Sequence, residues 1–233
     1  MTIKDQSEMG LNISIDEFLN INPDSLVTVN RLSNLFEVKL NKAYDSVVEV
    51  MSLTTQLRDP FTFEHQNRVA KISVAIGKKL HWDIKKIKGL EMAAQIHDIG
   101  KICIPSEILN KPNKLSRNED QLMQEHSDHG YQILKNVDFS WPLATIVRQH
   151  HERLDGTGYP DGLKGLSILE EARVIAIADT IEAMTTNRPY RIAPGLGQAL
   201  SEIKKSSGIK FDKNFVAAML DVFIDISSIE EII

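Results

Sequence analysis

Residues 89–101 read GLEMAAQIHDIGK, a stretch that places ionisable side chains on the apolar face of a helix. Leu90, Ala93 and His97 follow one another at the three- and four-residue spacing of a single helical face. Asp98 comes directly after this face. Because burying an imidazole or a carboxylate costs free energy unless the group is paired, such side chains need a partner when they occupy core positions. The stretch therefore predicts a helical core that contains a polar site.

Helical spacing recurs along most of the chain, whereas the alternating apolar runs that are typical of β-strands do not cluster. The composition, 42% hydrophobic and 25% charged, is that of an ordinary globular protein. Three further predicted helical faces each combine apolar residues with one histidine or aspartate. The first face contains His65, Val69, Ile72 and Ile76, the second Leu122, His126 and Ile133, and the third Ala172, Ile175 and Asp179. These patterns predict an all-α fold.

The chain is predicted to divide into four parts: residues 1–29 form a polar N-terminal extension, residues 30–58 a long helix, residues 59–225 the main domain and residues 226–233 a C-terminal tail. On the long helix, one set of residues alternates by four and three positions, which is the spacing of a coiled-coil seam. The seam consists of Phe36, Leu40, Ala43, Val47, Val50, Thr54 and Leu57. Two interpretations remain open, because the seam could pair with a second copy of the chain or pack on the chain's own core.

Charge and composition exclude several classes of function. The net charge of −5 argues against a broad basic surface for polymeric nucleic acid, because phosphate backbones select clusters of Lys and Arg. The N-terminus lacks the apolar core of a signal peptide, and no stretch is apolar for long enough to span a membrane. The single cysteine, Cys103, fits a reducing cytoplasm, and its neighbours Ile102 and Ile104 predict that its side chain is buried. We therefore expect a cytoplasmic protein.

Five of the seven histidines fall at or beside core-facing positions, together with two aspartates. They are His65, His97, His126, His150 and His151, with Asp98 and Asp179. Burying all of them without a strong counter-charge would be very costly, and bound divalent metal ions supply that charge. Seven nitrogen and oxygen ligands are too many for one tetrahedral ion, so we expect two metals. His129 lies one turn from His126 and competes with it as a ligand; their neighbours do not separate the two.

Two motifs connect these residues to a known family. The string His97-Asp98-Ile99-Gly100-Lys101, followed by HHERLDGTGYP at residues 150–160, resembles the HD-GYP family, a branch of the HD metal-dependent phosphohydrolases. The likeness runs from about Asp59 to Phe223 and also includes Lys111-Pro112 and Arg188-Pro189-Tyr190. The resemblance implies an HD-domain helical bundle with the HD-GYP extension. It also implies that the chain is a phosphodiesterase that hydrolyses cyclic di-GMP to linear pGpG, with possible further cleavage to GMP.

The resemblance further implies a set of site residues. His65, His97, Asp98 and Asp179 would hold one metal, and His126, His150 and His151 the other, with Asp98 bridging the two; this selects His126 over His129. Two divalent ions, iron or manganese, would activate a water and clamp the scissile phosphate. Lys101 would contact a phosphate oxygen beside the catalytic Asp98, Arg188 and Arg191 would clamp phosphates, and Tyr159 would stack on a guanine or shape the pocket. From spacing alone, Lys101 and the two arginines read as solvated surface residues, and Tyr159 as a turn aromatic.

One departure from the family affects the expected product. Some members carry a Glu four residues before the first metal-binding histidine, which gives a third metal, whereas this chain has Phe61 there. We therefore expect two metals, and the product stays open between the linear dinucleotide and, after further cleavage, GMP. Two alternatives are kept: hydrolysis of a mixed cyclic GMP–AMP dinucleotide, and a non-catalytic HD-type scaffold that binds signalling partner proteins.

Overall fold

The computed structural model describes residues 23–187 and 193–224, which form helices joined by loops. The α-helices, numbered along the chain, are α1 (Pro23–Arg58), α2 (Pro60–Lys79), α3 (Ile84–Ile96), α4 (Ser106–Leu109), α5 (Arg117–Gln124), α6 (His126–Leu134), α7 (Leu143–Gln149), α8 (Glu170–Thr185), α9 (Leu196–Lys205) and α10 (Lys213–Phe223). Two short 3₁₀ helices are η1 (Ile99–Cys103) and η2 (Gly165–Ser167). The predicted all-α fold is confirmed. No helix in these ranges is long and apolar enough to cross a bilayer.

Several helices begin where the sequence supplies an N-terminal cap. Asp83 accepts a hydrogen bond from the backbone N–H of Lys86 at the start of α3. Ser116 and Glu119 form a capping box at the start of α5. These caps satisfy backbone N–H groups that have no partner within the helix, so they fix the points at which the helices start.

The chain separates into two compact units, residues 1–44 and residues 45–233, and the boundary falls inside α1. In the second unit, α2 packs on α3, α8 and α10, and α6 packs on η1 and α7. The predicted apolar faces form this core: Ile72 and Ile76 of α2, Leu90 of α3 and Ile175 of α8 are all 0% exposed. Full burial of one such side chain contributes about 1.5–3 kcal/mol, so these faces account for much of the attraction between the helices.

Helix α1 differs from expectation in its start and in the face that it buries. It begins at Pro23 rather than at Asn30, so part of the predicted polar extension is helical. The C-terminal part of α1 belongs to the second unit, and there Val48 and Thr55 are buried, at 2% and 1% exposure. The predicted seam lies elsewhere on the helix, and Val50 and Leu57 are 63% and 89% exposed.

The prediction that Cys103 is buried is wrong. Cys103 is the last residue of η1 and is exposed, whereas Ile104, the next residue, is 2% exposed. The apolar neighbours Ile102 and Ile104 did not predict the exposure of Cys103, because the tight 3₁₀ turn points consecutive side chains in different directions.

Candidate metal centre

The structure brings the predicted histidines together in two clusters. His65, His97 and Asp98 form one, and His126, His150 and His151 form the other. Within each cluster, one ligand-type atom of every residue lies within 4.8 Å of those of the other two. Imidazole nitrogens and carboxylate oxygens at such separations are a suitable donor set for transition-metal ions such as iron or manganese. The residues therefore fit the metals that the sequence predicted.

Asp98 lies between the two clusters. Its Oδ2 atom is 3.7 Å from Nε2 of His65 and 3.5 Å from Nε2 of His97. Its other oxygen, Oδ1, is 3.4 Å from Nε2 of His126. One carboxylate thus faces both clusters, which is the arrangement that a bridging ligand requires.

Asp179, on α8, also faces both clusters. Its Oδ1 atom lies 3.2 Å from Nε2 of His65, and its Oδ2 atom lies 4.0 Å from Nδ1 of His151. The resemblance placed Asp179 with His65, His97 and Asp98 only; the approach of its second oxygen to His151 is visible only in the structure.

Backbone carbonyls orient three of the histidines. The Nδ1 atoms of His97, His126 and His150 lie 2.7, 2.6 and 2.5 Å from the carbonyl oxygens of the residues three positions earlier in the chain. A carbonyl can only accept, so Nδ1 carries the proton and Nε2 keeps its lone pair. Each of these rings therefore presents its Nε2 lone pair as a metal donor.

The pKa values favour neutral imidazoles beside ionised carboxylates. Burial lowers the pKa of His126 to about 4 and holds the pKa values of His150 and His151 well below the ordinary range. Burial alone would raise the pKa of Asp98, but Lys101 and the neighbouring histidines hold it well below the ordinary value. Neutral imidazoles and ionised carboxylates are the protonation states in which these side chains bind cations.

His65 has a different electrostatic environment from the other histidines. Burial lowers its pKa, but hydrogen bonds to the carboxylates of Asp179 and Glu182 outweigh this effect and raise the pKa to about 9. A cation that binds at Nε2 of His65 must therefore compete with a proton there.

Lys101 lies beside the clusters. Its Nζ atom is 2.7 Å from Oδ2 of Asp98, and its side chain is only 19% exposed. Lys101 is thus a partly buried cation that pairs with one of the candidate metal ligands.

The glycine loop (residues 155–165) closes one side of the site. The Tyr159 ring packs against the His151 ring, with their centroids 4.7 Å apart. Gly158 allows this close approach, because a Cβ atom there would lie 2.4 Å from the backbone oxygen of His151. Burial raises the pKa of Tyr159, so its hydroxyl stays protonated and can donate a hydrogen bond. The loop therefore places a hydrogen-bond donor next to the second cluster.

Glu152 anchors this loop and was missed in the sequence. It is 2% exposed, and its two carboxylate oxygens accept hydrogen bonds from the backbone N–H groups of Asp161 and Leu163 at 2.8 and 2.9 Å. Its position directly after His150 and His151 was the available signal. The sequence could not show that the loop folds back onto its carboxylate.

The remaining predicted residues have different outcomes. His129 lies outside both clusters, with its Nε2 atom 4.0 Å from the Glu125 carboxylate. Arg188 and Arg191 lie outside the described residues, so their roles stay predictions.

Comparison with known proteins identifies the family. The model of the HD domain family matches residues 49–215. The chain belongs to the HD domain family. It is 38% identical over 167 residues to the cyclic di-GMP phosphodiesterase response regulator RpfG of Xanthomonas campestris, covering 71% of this chain and 44% of that protein. It is 37% identical to the 3′3′-cGAMP-specific phosphodiesterase 1 of Vibrio cholerae, covering 71% of this chain and 39% of that protein. The chain thus spans less than half the length of these two relatives.

A solved structure shows the same fold. An HDG"Y"P protein from Bdellovibrio bacteriovorus superposes with a TM-score of 0.59 at 20% identity, covering 79% of this chain and 62% of that one. The superposition supports the HD-domain fold, and the HD-domain match with the named relatives confirms the predicted family.

Proposed function

We propose that this HD-domain chain is a metal-dependent phosphodiesterase that hydrolyses cyclic di-GMP to linear pGpG. The observation that carries the proposal is the pair of buried clusters that share Asp98. Named phosphodiesterases among the relatives support it, since one acts on cyclic di-GMP and another on 3′3′-cGAMP. The mixed dinucleotide is therefore kept as the second candidate substrate.

In this proposal, each cluster holds one divalent cation, iron or manganese. His65, His97, Asp98 and Asp179 bind the first, and His126, His150 and His151, with Asp98, bind the second. Two adjacent divalent ions lower the pKa of a water and neutralise charge on the phosphodiester. The fixed tautomers of His97, His126 and His150 support the assignment, because their Nε2 lone pairs are available to cations.

Lys101 and Tyr159 are proposed to contact the substrate. The ammonium group of Lys101 supplies a point charge next to Asp98, where a phosphate oxygen would lie. The protonated hydroxyl of Tyr159 can donate a hydrogen bond, and its ring can stack on a base. Arg188 and Arg191, whose guanidinium groups are suited to bidentate phosphate contacts, complete the proposed set.

The test combines metal analysis with a chromatographic assay on cyclic di-GMP and 3′3′-cGAMP. Two equivalents of metal and a linear dinucleotide product are expected. The double variant His97→Ala, Asp98→Ala should be inactive, and His129→Ala serves as a matched histidine control that keeps activity. Full activity in the double variant would refute the site. Substrate binding without turnover, with Fe or Mn supplied under reducing conditions, would instead support the scaffold alternative.

We also propose that the seam of α1 pairs with the seam of a second copy of the chain. Its exposed apolar residues, Val50 and Leu57 among them, recur at coiled-coil spacing, so pairing would remove them from water. Light scattering should give a dimeric mass that Val50→Glu lowers to that of a monomer. A monomeric wild-type chain at working concentration would contradict this. A cytoplasmic location and signalling partner proteins remain part of the proposal.

A further inference from the structure

Glu182 is a buried carboxylate that the proposed reaction does not use. It is 1% exposed and lies on α8, three residues after Asp179, so both side chains are on the same side of the helix. One of its oxygens, Oε2, contacts Nδ1 of His65 in a short hydrogen bond. Glu182 therefore lies directly behind one candidate metal ligand.

The other carboxylate oxygen of Glu182 is held in place by two side chains. Oε1 accepts hydrogen bonds from Nε of Arg68 at 2.7 Å and from the hydroxyl of Thr186 at 2.8 Å, and Nη2 of Arg68 lies 2.7 Å from it as an ion pair. Because these groups converge on Oε1, the carboxylate cannot rotate without losing them. Oε2 is thereby fixed towards His65.

This arrangement distinguishes His65 from its neighbours. His97, His126 and His150 bond through Nδ1 to neutral backbone carbonyls, whereas His65 bonds to a charged carboxylate. A carboxylate behind a histidine holds the Nδ1–H tautomer, orients the ring and makes Nε2 a stronger donor. Nε2 of His65 is thereby directed towards Asp98 and Asp179.

The two clusters also differ in negative charge. The first combines two carboxylate ligands, Asp98 and Asp179, with Glu182 behind His65. The second combines three imidazoles with a share of Asp98 and the farther oxygen of Asp179, which lies 4.0 Å from Nδ1 of His151. Since divalent cations are attracted by nearby carboxylates, the first cluster offers the stronger field.

We infer that Glu182 is a positioning residue that makes the cluster of His65 the tighter of two unequal cation sites. It acts by fixing the ring of His65 and touches neither the substrate nor the cation. The inference rests on the proposed function, because it takes both clusters to bind metal. It predicts that the two sites fill one after the other, the cluster of His65 first.

Glu182→Gln tests this with little change of shape. The amide oxygen can replace Oε1, which Arg68 and Thr186 hold, so the amide nitrogen takes the place of Oε2. That nitrogen can only donate, and it turns Nδ1 of His65 into an acceptor. The ring proton then moves to Nε2 and blocks the lone pair that faces Asp98 and Asp179.

The readout is cation binding rather than activity. Metal-free chain is titrated with Mn²⁺, and free Mn²⁺ is followed by electron paramagnetic resonance. Wild type should show a tight step and a weaker step. Glu182→Gln should weaken the tight step about 10- to 100-fold and leave the weaker step nearly unchanged. Glu170→Gln is a matched control at the start of the same helix, where Glu170 pairs with Lys86 at the surface, and it should leave both steps unchanged.

The outcomes separate this inference from the proposed function. Unchanged binding in Glu182→Gln, or equal weakening of both steps in a folded variant, would overturn the role of Glu182 alone. A wild-type chain that binds no cation would overturn the proposed function as well. If Glu182→Gln does not fold, Glu182→Asp keeps the charge but shortens the reach to His65. A tight step that is unchanged in Glu182→Asp would then count against the inference.

Discussion

Replacing Gly100 with alanine should separate the two clusters. Gly100 lies in η1, two residues after Asp98, where η1 crosses the start of α6. A Cβ atom at this position would lie 1.9 Å from the backbone oxygen of His126 and 2.5 Å from the backbone nitrogen of Gly130. Both neighbours are backbone atoms, so no side-chain rotation can relieve the overlap. Because Cβ atoms essentially never come within 3.0 Å of other heavy atoms, the two backbones must move apart by about 1 Å.

That displacement acts directly on the shared carboxylate. Asp98 directly precedes η1 and His126 is the first residue of α6, and Oδ1 of Asp98 lies 3.4 Å from Nε2 of His126. Functional constellations tolerate about 0.5 Å of error, and a misplacement of 1 Å can cost about 100-fold in rate. Gly100→Ala should therefore lose the cation of the second cluster and lower kcat/KM about 100-fold. Overpacking should also destabilise the fold by about 1–3 kcal/mol.

The assay measures metal content, hydrolysis of cyclic di-GMP and thermal unfolding on the same samples. Gly197→Ala is the matched control, because a Cβ atom there would meet nothing within 4 Å and the residue lies in α9. The control should keep both metals and gain about 0.5–1 kcal/mol in stability. If Gly100→Ala retained two equivalents of metal and wild-type kcat/KM, the close approach of η1 and α6 would not be what holds the clusters together.

Three further substitutions test other parts of the structure. Glu152→Gln should lower the free energy of unfolding by about 1.5–3 kcal/mol, because one backbone N–H of the glycine loop loses its charged acceptor; wild-type stability in urea would contradict this. Ile72→Ala should cost about 2–5 kcal/mol in the same assay, since Ile72 is 0% exposed, and a smaller cost would mean that the core collapses around the gap. The hydrogen bond from Lys111 lowers the pKa of Glu119 to about 2, so this carboxylate stabilises the fold above pH 4.5 and ceases to do so as the pH falls towards 2. When the free energy of unfolding is measured against pH, Glu119→Gln should lack this loss of stability between pH 4.5 and pH 2. A pH dependence identical to that of the wild type would count against the capping box.

The sequence predicted the core faces well because helical periodicity reports burial directly. Ile72 and Ile76, or Leu90 and Ala93, recur at the spacing that places them on one side of a helix, and all four are fully buried. It could not decide what the seam of α1 contacts, because periodicity shows that a stripe is apolar without showing its partner. Within the second unit, the face that α1 buries includes Ser52 and Thr55, which no apolar pattern singles out.

The supporting residues of the site could not be found in the same way. Glu182 contacts His65 across 117 positions in the chain, and no spacing rule connects residues on two different helices. The only local signal was its place three residues after Asp179 on one side of α8. The start of α1 had a clearer signal in the sequence, since a proline at position 23 is typical of a first helical turn. The residues around Pro23 are polar and lack amphipathic spacing, so the spacing did not indicate a helix there.

The charges around the clusters explain why these residues stood out in the sequence. Three buried or nearly buried carboxylates of the second unit have fixed partners: Lys101 for Asp98, Arg68 for Glu182, and two backbone N–H groups for Glu152. Asp179 differs, because within the described ranges no lysine or arginine nitrogen lies within 4.0 Å of its oxygens, which face His65 and His151. Burial keeps His151 neutral, so His151 cannot balance this carboxylate, and His65 can do so only by holding a proton. A divalent cation between the clusters would balance it, and for this reason an aspartate on the apolar face of α8 indicates a metal site rather than a packing defect.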